Sequence, residues 1–115
     1  MERQTGFTLK ELIQMVESGE YTTCPGSGSV GLLPLGVLLN EIGTIFLETG
    51  DSSAEDLLAN MLASDHIGTK FICYGFLFAN SANLSDEAKL LVHGFEENPA
   101  NAELVQNARE TVANL

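Results

Sequence analysis

The chain is poor in cysteine, in positive charge and in long apolar runs, and each shortage excludes a class of protein. Its 115 residues include two cysteines, Cys24 and Cys73, too few for a disulfide framework. The N-terminal residues lack the basic and apolar regions of a signal peptide, and no stretch of about 18 apolar residues occurs. We therefore expect a cytoplasmic protein with no membrane span.

Lysine and arginine are scarce. Five of them stand against sixteen aspartates and glutamates, which gives a net charge of −11 at pH 7. A chain this acidic is repelled by the phosphates of nucleic acids and by anionic lipids, so we expect direct contact with neither. A basic protein is the natural partner, although acidity can also serve solubility alone.

Residues that carry chemistry are few and scattered. His66 and His93 are the only histidines, and neither lies at a metal-ligand spacing from the other or from a cysteine. No nucleophile has a base near it in sequence. The glycine-rich segment lacks the Gly-Lys-Ser/Thr of a phosphate-binding loop. We expect no catalytic residue, no metal and no cofactor, and hence no enzyme.

Helical patterning covers nearly the whole chain. Six segments carry apolar residues at helical spacing, and most begin at a capping residue or a proline. The expected helices begin near Thr8, Pro34, Ser52, Asp65, Ser85 and Asn98, and the first two end at Gly19 and Gly50. Hydrophobic residues make up 44% of the chain, and no alternating strand pattern occurs. The sequence predicts a single all-α domain over residues 1–115, with a Gly/Ser-rich loop at residues 20–33.

The helix starts carry specific capping signals. Thr8 and Glu11 match a capping box at the first helix, and Ser52 and Glu55 match one at the third. Asp65 is expected to cap the fourth helix. Pro34 is expected at the first helical position of the second, where the fixed φ of proline is favoured.

The stretch Ile67–Ala79 is the most apolar part of the chain, and Lys70 is its single charge. We expect it to be a central helix, covered on both sides. The residues of one aromatic side are Ile67, Phe71, Tyr74 and Phe78. Small residues between its faces indicate a close approach of a neighbouring helix; they are Gly68, Gly75 and Ala79. The fifth helix is expected to bury Leu90, Leu91 and Phe95.

Similar helix starts recur at a fixed interval. The same 33 residues separate Ser52 from Ser85 and Asp65 from Asn98. Short paired helices with such a period are typical of solenoid repeats, which need about three pairs to bury their faces.

The residues of these pairs resemble two repeat families. Phe71, Tyr74, Gly75, Phe78 and Pro99 stand at the spacing of the tetratricopeptide repeat, from which Ala54 and Glu87 depart. Leu57, Leu58, Asp65 and Lys70 resemble the HEAT repeat, and the sequence does not separate the two families. Either resemblance covers about residues 35–115 and implies six helices as three antiparallel pairs in a short right-handed solenoid. An irregular helical bundle is the alternative.

In both families the second helix of each pair lines a binding groove, so the resemblance implies a module that binds another protein. The expected groove contacts are Thr44, Lys70, Phe76, Asn107 and Arg109. The alternative is an acidic inhibitor or immunity-type protein that covers a basic site on a nucleic-acid-acting partner. Its expected contacts are Glu96, Glu97, Glu103 and Glu110. A third hypothesis is small-ligand binding at the loop residues Cys24–Ser29, and the expected state is a monomer or a homodimer.

Overall fold

A computed structural model of the chain describes residues 7–22 and 33–114. Over these residues the fold is all-α, as predicted. The six α-helices are α1 (Leu9–Ser18), α2 (Leu35–Thr49), α3 (Ser52–Asn60), α4 (Ile67–Ala79), α5 (Asp86–Glu97) and α6 (Ala102–Ala113). Single 3-10 turns lie between them at Met61–Ala63, Ser81–Asn83 and Pro99–Asn101. Within the described ranges no helix has the length and apolarity needed to cross a membrane.

Two very short strands precede α2, and the sequence analysis did not predict them. β1 (Tyr21–Thr22) pairs in parallel with β2 (Leu33–Pro34), so that Tyr21 lies opposite Leu33. Pro34 is therefore extended, with ψ 138°, and precedes α2 as its N-cap instead of forming its first turn. Most of the predicted loop at 20–33, including Cys24–Ser29, lies outside the described residues.

The ends of α1 and α2 follow the prediction. Thr8 and Glu11 form both hydrogen bonds of a capping box, and these bonds lower the pKa of the Glu11 carboxyl. Gly19 ends α1 with φ 79°, and Gly50 ends α2 with φ 68°. Both are in the left-handed region that glycine adopts without steric cost.

The start of α3 differs from the prediction. Asp51, not Ser52, is the N-cap, and its carboxylate accepts the backbone N–H of Ser53 at 2.8 Å. Glu55 therefore closes no capping box with Ser52. Its side chain is buried and accepts the backbone N–H of Ser85 at 2.8 Å, which ties α3 to the start of α5.

The start of α4 also differs. His66 occupies the N-cap, where its Nδ1 accepts the backbone N–H of Thr69 at 3.2 Å. Asp65 was predicted for this position but lies one residue too early, because the extended residue directly before the helix is the one whose side chain reaches the first turn.

The helices pack in two series. Along one series α4 contacts both α2 and α6, and along the other α3 contacts both α1 and α5; α1 packs on α2, α3 on α4 and α5 on α6. Gly36 of α2 lies against Ile72 of α4, and Gly43 lies against Phe76. The two helices therefore run in the same direction. This order agrees with paired helices, while the solenoid and its handedness stay predictions.

The core confirms part of the prediction about α4 and corrects one about α5. On the predicted aromatic side of α4, Tyr74 is fully buried and Phe71 and Phe78 pack half-buried against the core, whereas Ile67 is 72% exposed. The predicted core residues Leu90 and Leu91 are instead 73% and 47% exposed. The buried stripe of α5 is Ala88, Val92 and Phe95, at spacings of four and three residues.

Close helix approach occurs at a different glycine from those predicted. A Cβ at Gly75 would meet nothing within 4 Å, and one at Gly68 would meet only the His66 ring. A Cβ at Gly43 would overlap the ring of Phe76. A residue without a side chain is therefore needed at position 43 of α2, where α4 approaches it.

Candidate functional site

The side of α4 that turns away from the core has no charged residue. Four residues of α4 are buried, namely Thr69, Cys73, Tyr74 and Leu77. At about 100° per residue, seven residues lie on the opposite side; three are exposed and four are half-buried, and of these Phe71, Ile72 and Phe78 pack in part against the core. They are Ile67, Gly68, Phe71, Ile72, Gly75, Phe78 and Ala79. We call this surface the α4 face, and it is uncharged although the chain carries a net charge of −11.

A notch lies in the middle of the α4 face. Gly75 has open space where a side chain would stand, with nothing within 4 Å. Phe71 lies one turn before it and Phe78 three residues after it, so both residues are on the same side of the helix as Gly75.

One edge of the α4 face is formed where α4 meets α2. There the ring of Phe76 packs on Gly43. Leu47 lies one turn beyond Gly43 on the same side of α2 and is 40% exposed. The apolar surface therefore continues from α4 onto α2.

Arg109 of α6 lies at the other edge. Its guanidinium stands 5.1 Å from the ring centroid of Phe78, a cation–π distance. Its Nε donates to the Tyr74 hydroxyl at 3.0 Å, and its Nη2 donates to Glu96 Oε2 at 2.6 Å. The Tyr74 hydroxyl donates to the same Glu96 oxygen at 2.5 Å. These contacts join α4, α5 and α6.

This network holds Tyr74 in its neutral form. Burial, and then the hydrogen bond that the phenol donates to Glu96, raise the pKa of Tyr74 to about 12. Hydrogen bonds to Tyr74 and then Glu96 raise the pKa of Arg109 further above its usual value. The Tyr74 ring also stacks on Phe78 and on Phe95, with centroids 6.0 and 5.3 Å away. The cluster thus links α4, α5 and α6 through hydrogen bonds and stacked rings.

The structure places the predicted groove contacts unequally. Thr44 is buried, and its hydroxyl donates to the Asn40 carbonyl at 2.8 Å. Lys70 is half-buried on the core-facing side of α4, and Asn107 is exposed on α6. Phe76 and Arg109 lie at opposite edges of the α4 face. The structure therefore brings only these last two to the candidate surface.

The α4 face, which lies between Phe76 and Arg109, was not predicted from the sequence. It assigned Ile67, Phe71 and Phe78 to the core, yet Ile67 is 72% exposed. The sequence did contain a signal of this face, because uncharged residues recur there at helical spacing although the chain is strongly acidic. Periodicity alone does not tell a buried apolar side from an exposed one.

The predicted acidic contacts fall into two groups. Glu96 pairs with Arg109, and Glu97 lies 2.8 Å from His93 Nε2 on the same helix. Glu103 and Glu110 are exposed on one side of α6, two turns apart. An inhibitor that uses all four carboxylates would have to compete with contacts inside the domain for the first two.

The described surface also contains two larger grooves. One of about 740 Å³ lies between α1 and α3, and we call it the α1–α3 groove. Another of about 660 Å³ lies between the end of α4 and α5, where Phe78, Leu84 and Leu90 contribute to it.

Burial raises the pKa of the Cys73 thiol to about 12, which makes it unreactive. Residues 7–22 and 33–114 hold no group of three or more His, Cys, Asp or Glu arranged for a metal ion.

Comparison of the chain with protein-family models, with curated proteins and with solved structures finds no match.

Proposed function

We propose that the protein binds another protein through the α4 face. The observation that supports this is the partly exposed, uncharged surface around the Gly75 notch, on a domain that is otherwise rich in carboxylates. Contiguous apolar surface of this kind on a small domain is characteristic of interaction sites. Removing it from water stabilises a complex by about 25 cal/mol for each Å² of apolar area buried.

The resemblance to helical-hairpin repeats points to the same helix. In that interpretation α4 is the second helix of the middle pair, and the second helices line the binding groove. The open notch at Gly75 and the exposed Ile67 are observations that do not depend on the resemblance. The resemblance therefore selects α4, while the exposed Ile67 and the open space at Gly75 select its outward side.

The shape of the face suits a helix or an extended segment that places one apolar side chain between the rings of Phe71 and Phe78. Charge takes little part, because the face contains no ionisable side chain. Affinity should therefore depend weakly on salt. An acidic inhibitor that acts through Glu103 and Glu110 would instead lose affinity steeply as salt rises.

Filling the notch tests the proposal. Gly75→Gln places an uncharged side chain in the open space, and Gly94→Gln on α5 is the matched control, because a Cβ there also meets nothing within 4 Å. Both changes replace a helical glycine by a better helix former, so the fold should tolerate them equally. The measurement is quantitative mass spectrometry of proteins captured from the native lysate by each variant.

The expected result is a set of proteins that the parent chain and Gly94→Gln retain and Gly75→Gln loses. A second pair extends the test, since Ile67 and Leu90 are 72% and 73% exposed. Ile67→Glu should abolish the same captures, and Leu90→Glu should keep them. Identical capture by all four variants would refute the α4 face as the binding surface.

A further inference from the structure

The α1–α3 groove has an apolar floor. Leu9 and Ile13 of α1 are half-buried and lie one turn apart, and Leu57 of α3 completes the floor. The groove belongs to the series of α1, α3 and α5, and none of its lining residues is part of the α4 face. A function of this groove is therefore separate from the function proposed above.

The rim of the groove is acidic. Glu17 and Asp56 are exposed, and within the described part of the chain neither makes an ion pair or a hydrogen bond. Asp51 adds a third carboxylate, one oxygen of which already accepts the Ser53 N–H. Lys10 is the single basic side chain of the lining. The rim is therefore electronegative, with its two unpaired carboxylates free to receive cations.

We propose that this groove binds a basic amphipathic segment of a partner protein. Its aliphatic side chains would cover Leu9, Ile13 and Leu57, and its lysine or arginine side chains would meet Glu17 and Asp56. Charge complementarity selects this occupant, because favourable pairing across an interface needs the opposite sign on the partner. A second copy of this chain also carries −11 and is repelled.

A pair of synthetic peptides provides the probe. Both have leucines at helical spacing, and the remaining positions are lysine in one and glutamate in the other. Binding is followed by fluorescence anisotropy at low and at physiological salt. The lysine peptide should bind and weaken steeply with salt, and the glutamate peptide should not bind.

Charge-matched variants show whether the binding is local. The double variant Glu17→Lys with Asp56→Lys changes the rim of the groove. The control, Glu103→Lys with Glu110→Lys, makes the same change of net charge on α6. We expect the groove variant to weaken the lysine peptide by about tenfold or more, and the control by about twofold or less. Circular dichroism verifies that both variants keep their helix content.

Ile13→Ala tests the floor independently of charge and should weaken the peptide several-fold. NMR signals of α1 and α3 should shift on binding, and those of Ile67 and Phe71 should stay in place. Equal weakening by the two double variants would mean attraction to the whole acidic surface and would overturn the proposal. So would binding of the glutamate peptide, no binding of either peptide, or full affinity in Ile13→Ala.

Discussion

The ring of Phe76 in α4 lies directly against the backbone of Gly43 in α2, closer than any side chain at position 43 would allow. Gly43 is buried in the middle of the longest helix. The contact sets how closely the two central helices approach, and through it the position of the α4 face.

Alanine at position 43 should therefore destabilise the fold. Its Cβ overlaps Phe76, and overpacking of this kind costs about 1–3 kcal/mol, which outweighs the better helix propensity of alanine. Gly75→Ala makes the same chemical change in open space and should raise the free energy of unfolding by up to about 1 kcal/mol. Urea denaturation followed by circular dichroism measures both changes.

Gly94→Ala is the control, since its Cβ also meets nothing within 4 Å, and it should behave like Gly75→Ala. A stabilised Gly43→Ala variant would contradict the contact between Phe76 and Gly43.

The glycine at which two helices approach closely could not be identified from the sequence alone. A glycine inside a helix indicates that something special occurs there, and the sequence assigned the close approach to Gly68, Gly75 and Ala79. The side of α4 that meets α2 instead carries Ile72 and Phe76, and the space for their side chains comes from α2. Which of two packed helices carries the glycine depends on the tertiary packing. The sequence pattern of one helix alone does not predict it.

Tyr74 should make stability depend on alkaline pH. Its pKa is raised from 10.0 to about 12 in the folded protein, so the folded state holds the phenolic proton more tightly than the unfolded state. Its contribution is complete below about pH 10 and is lost as the pH rises toward 12. The free energy of unfolding, measured at several pH values, should fall over this window.

Tyr74→Phe isolates that contribution, because it keeps the ring and removes the titrating hydroxyl. All other side chains are the same in the two proteins, so the difference between the two pH profiles reports Tyr74. A difference that stays constant between pH 10 and 12 would show that the phenol has no raised pKa.

The bond between Glu55 and the Ser85 N–H should be important for stability. Glu55→Ala removes the buried acceptor of a half-buried, charge-assisted hydrogen bond from the Ser85 N–H, and we expect a loss of about 1–3 kcal/mol. Glu55→Gln keeps an acceptor oxygen and should lose less. Asp56→Ala, at the exposed neighbouring position, should stay within about 0.5 kcal/mol of the parent protein. Thermal unfolding of the three variants gives the ranking, and equal losses at 55 and 56 would contradict the buried contact.

His66 should prove to be the cap of α4. His66→Ala removes the acceptor of the Thr69 N–H and should cost about 1 kcal/mol, while His66→Asn should restore most of it, since asparagine is a strong N-cap. Asp65→Ala should have little effect. Denaturant unfolding at neutral pH distinguishes the two positions, and the opposite ranking would restore the prediction made from sequence.

Local rules succeeded at the start of α1 and at the ends of α1 and α2, and they placed the N-caps of α3 and α4 one residue away from their true positions. The Thr8–Glu11 capping box and the glycine ends of α1 and α2 were predicted, because each involves a few consecutive residues. Glu55 has the same local pattern, yet its partner is Ser85, thirty residues away in sequence. The exposure of the α4 face was not predicted for the same reason, because it depends on where α2 and α6 end their contact with α4.

The parallel pairing of Tyr21 with Leu33 has a practical consequence. It fixes the two ends of the intervening segment side by side, so the chain returns next to the point where it left. Lengthening a connection between fixed points is inexpensive, at about 0.6 kcal/mol for each doubling of a flexible loop. We therefore expect the chain between Thr22 and Leu33 to accept added residues at a small cost in the free energy of unfolding.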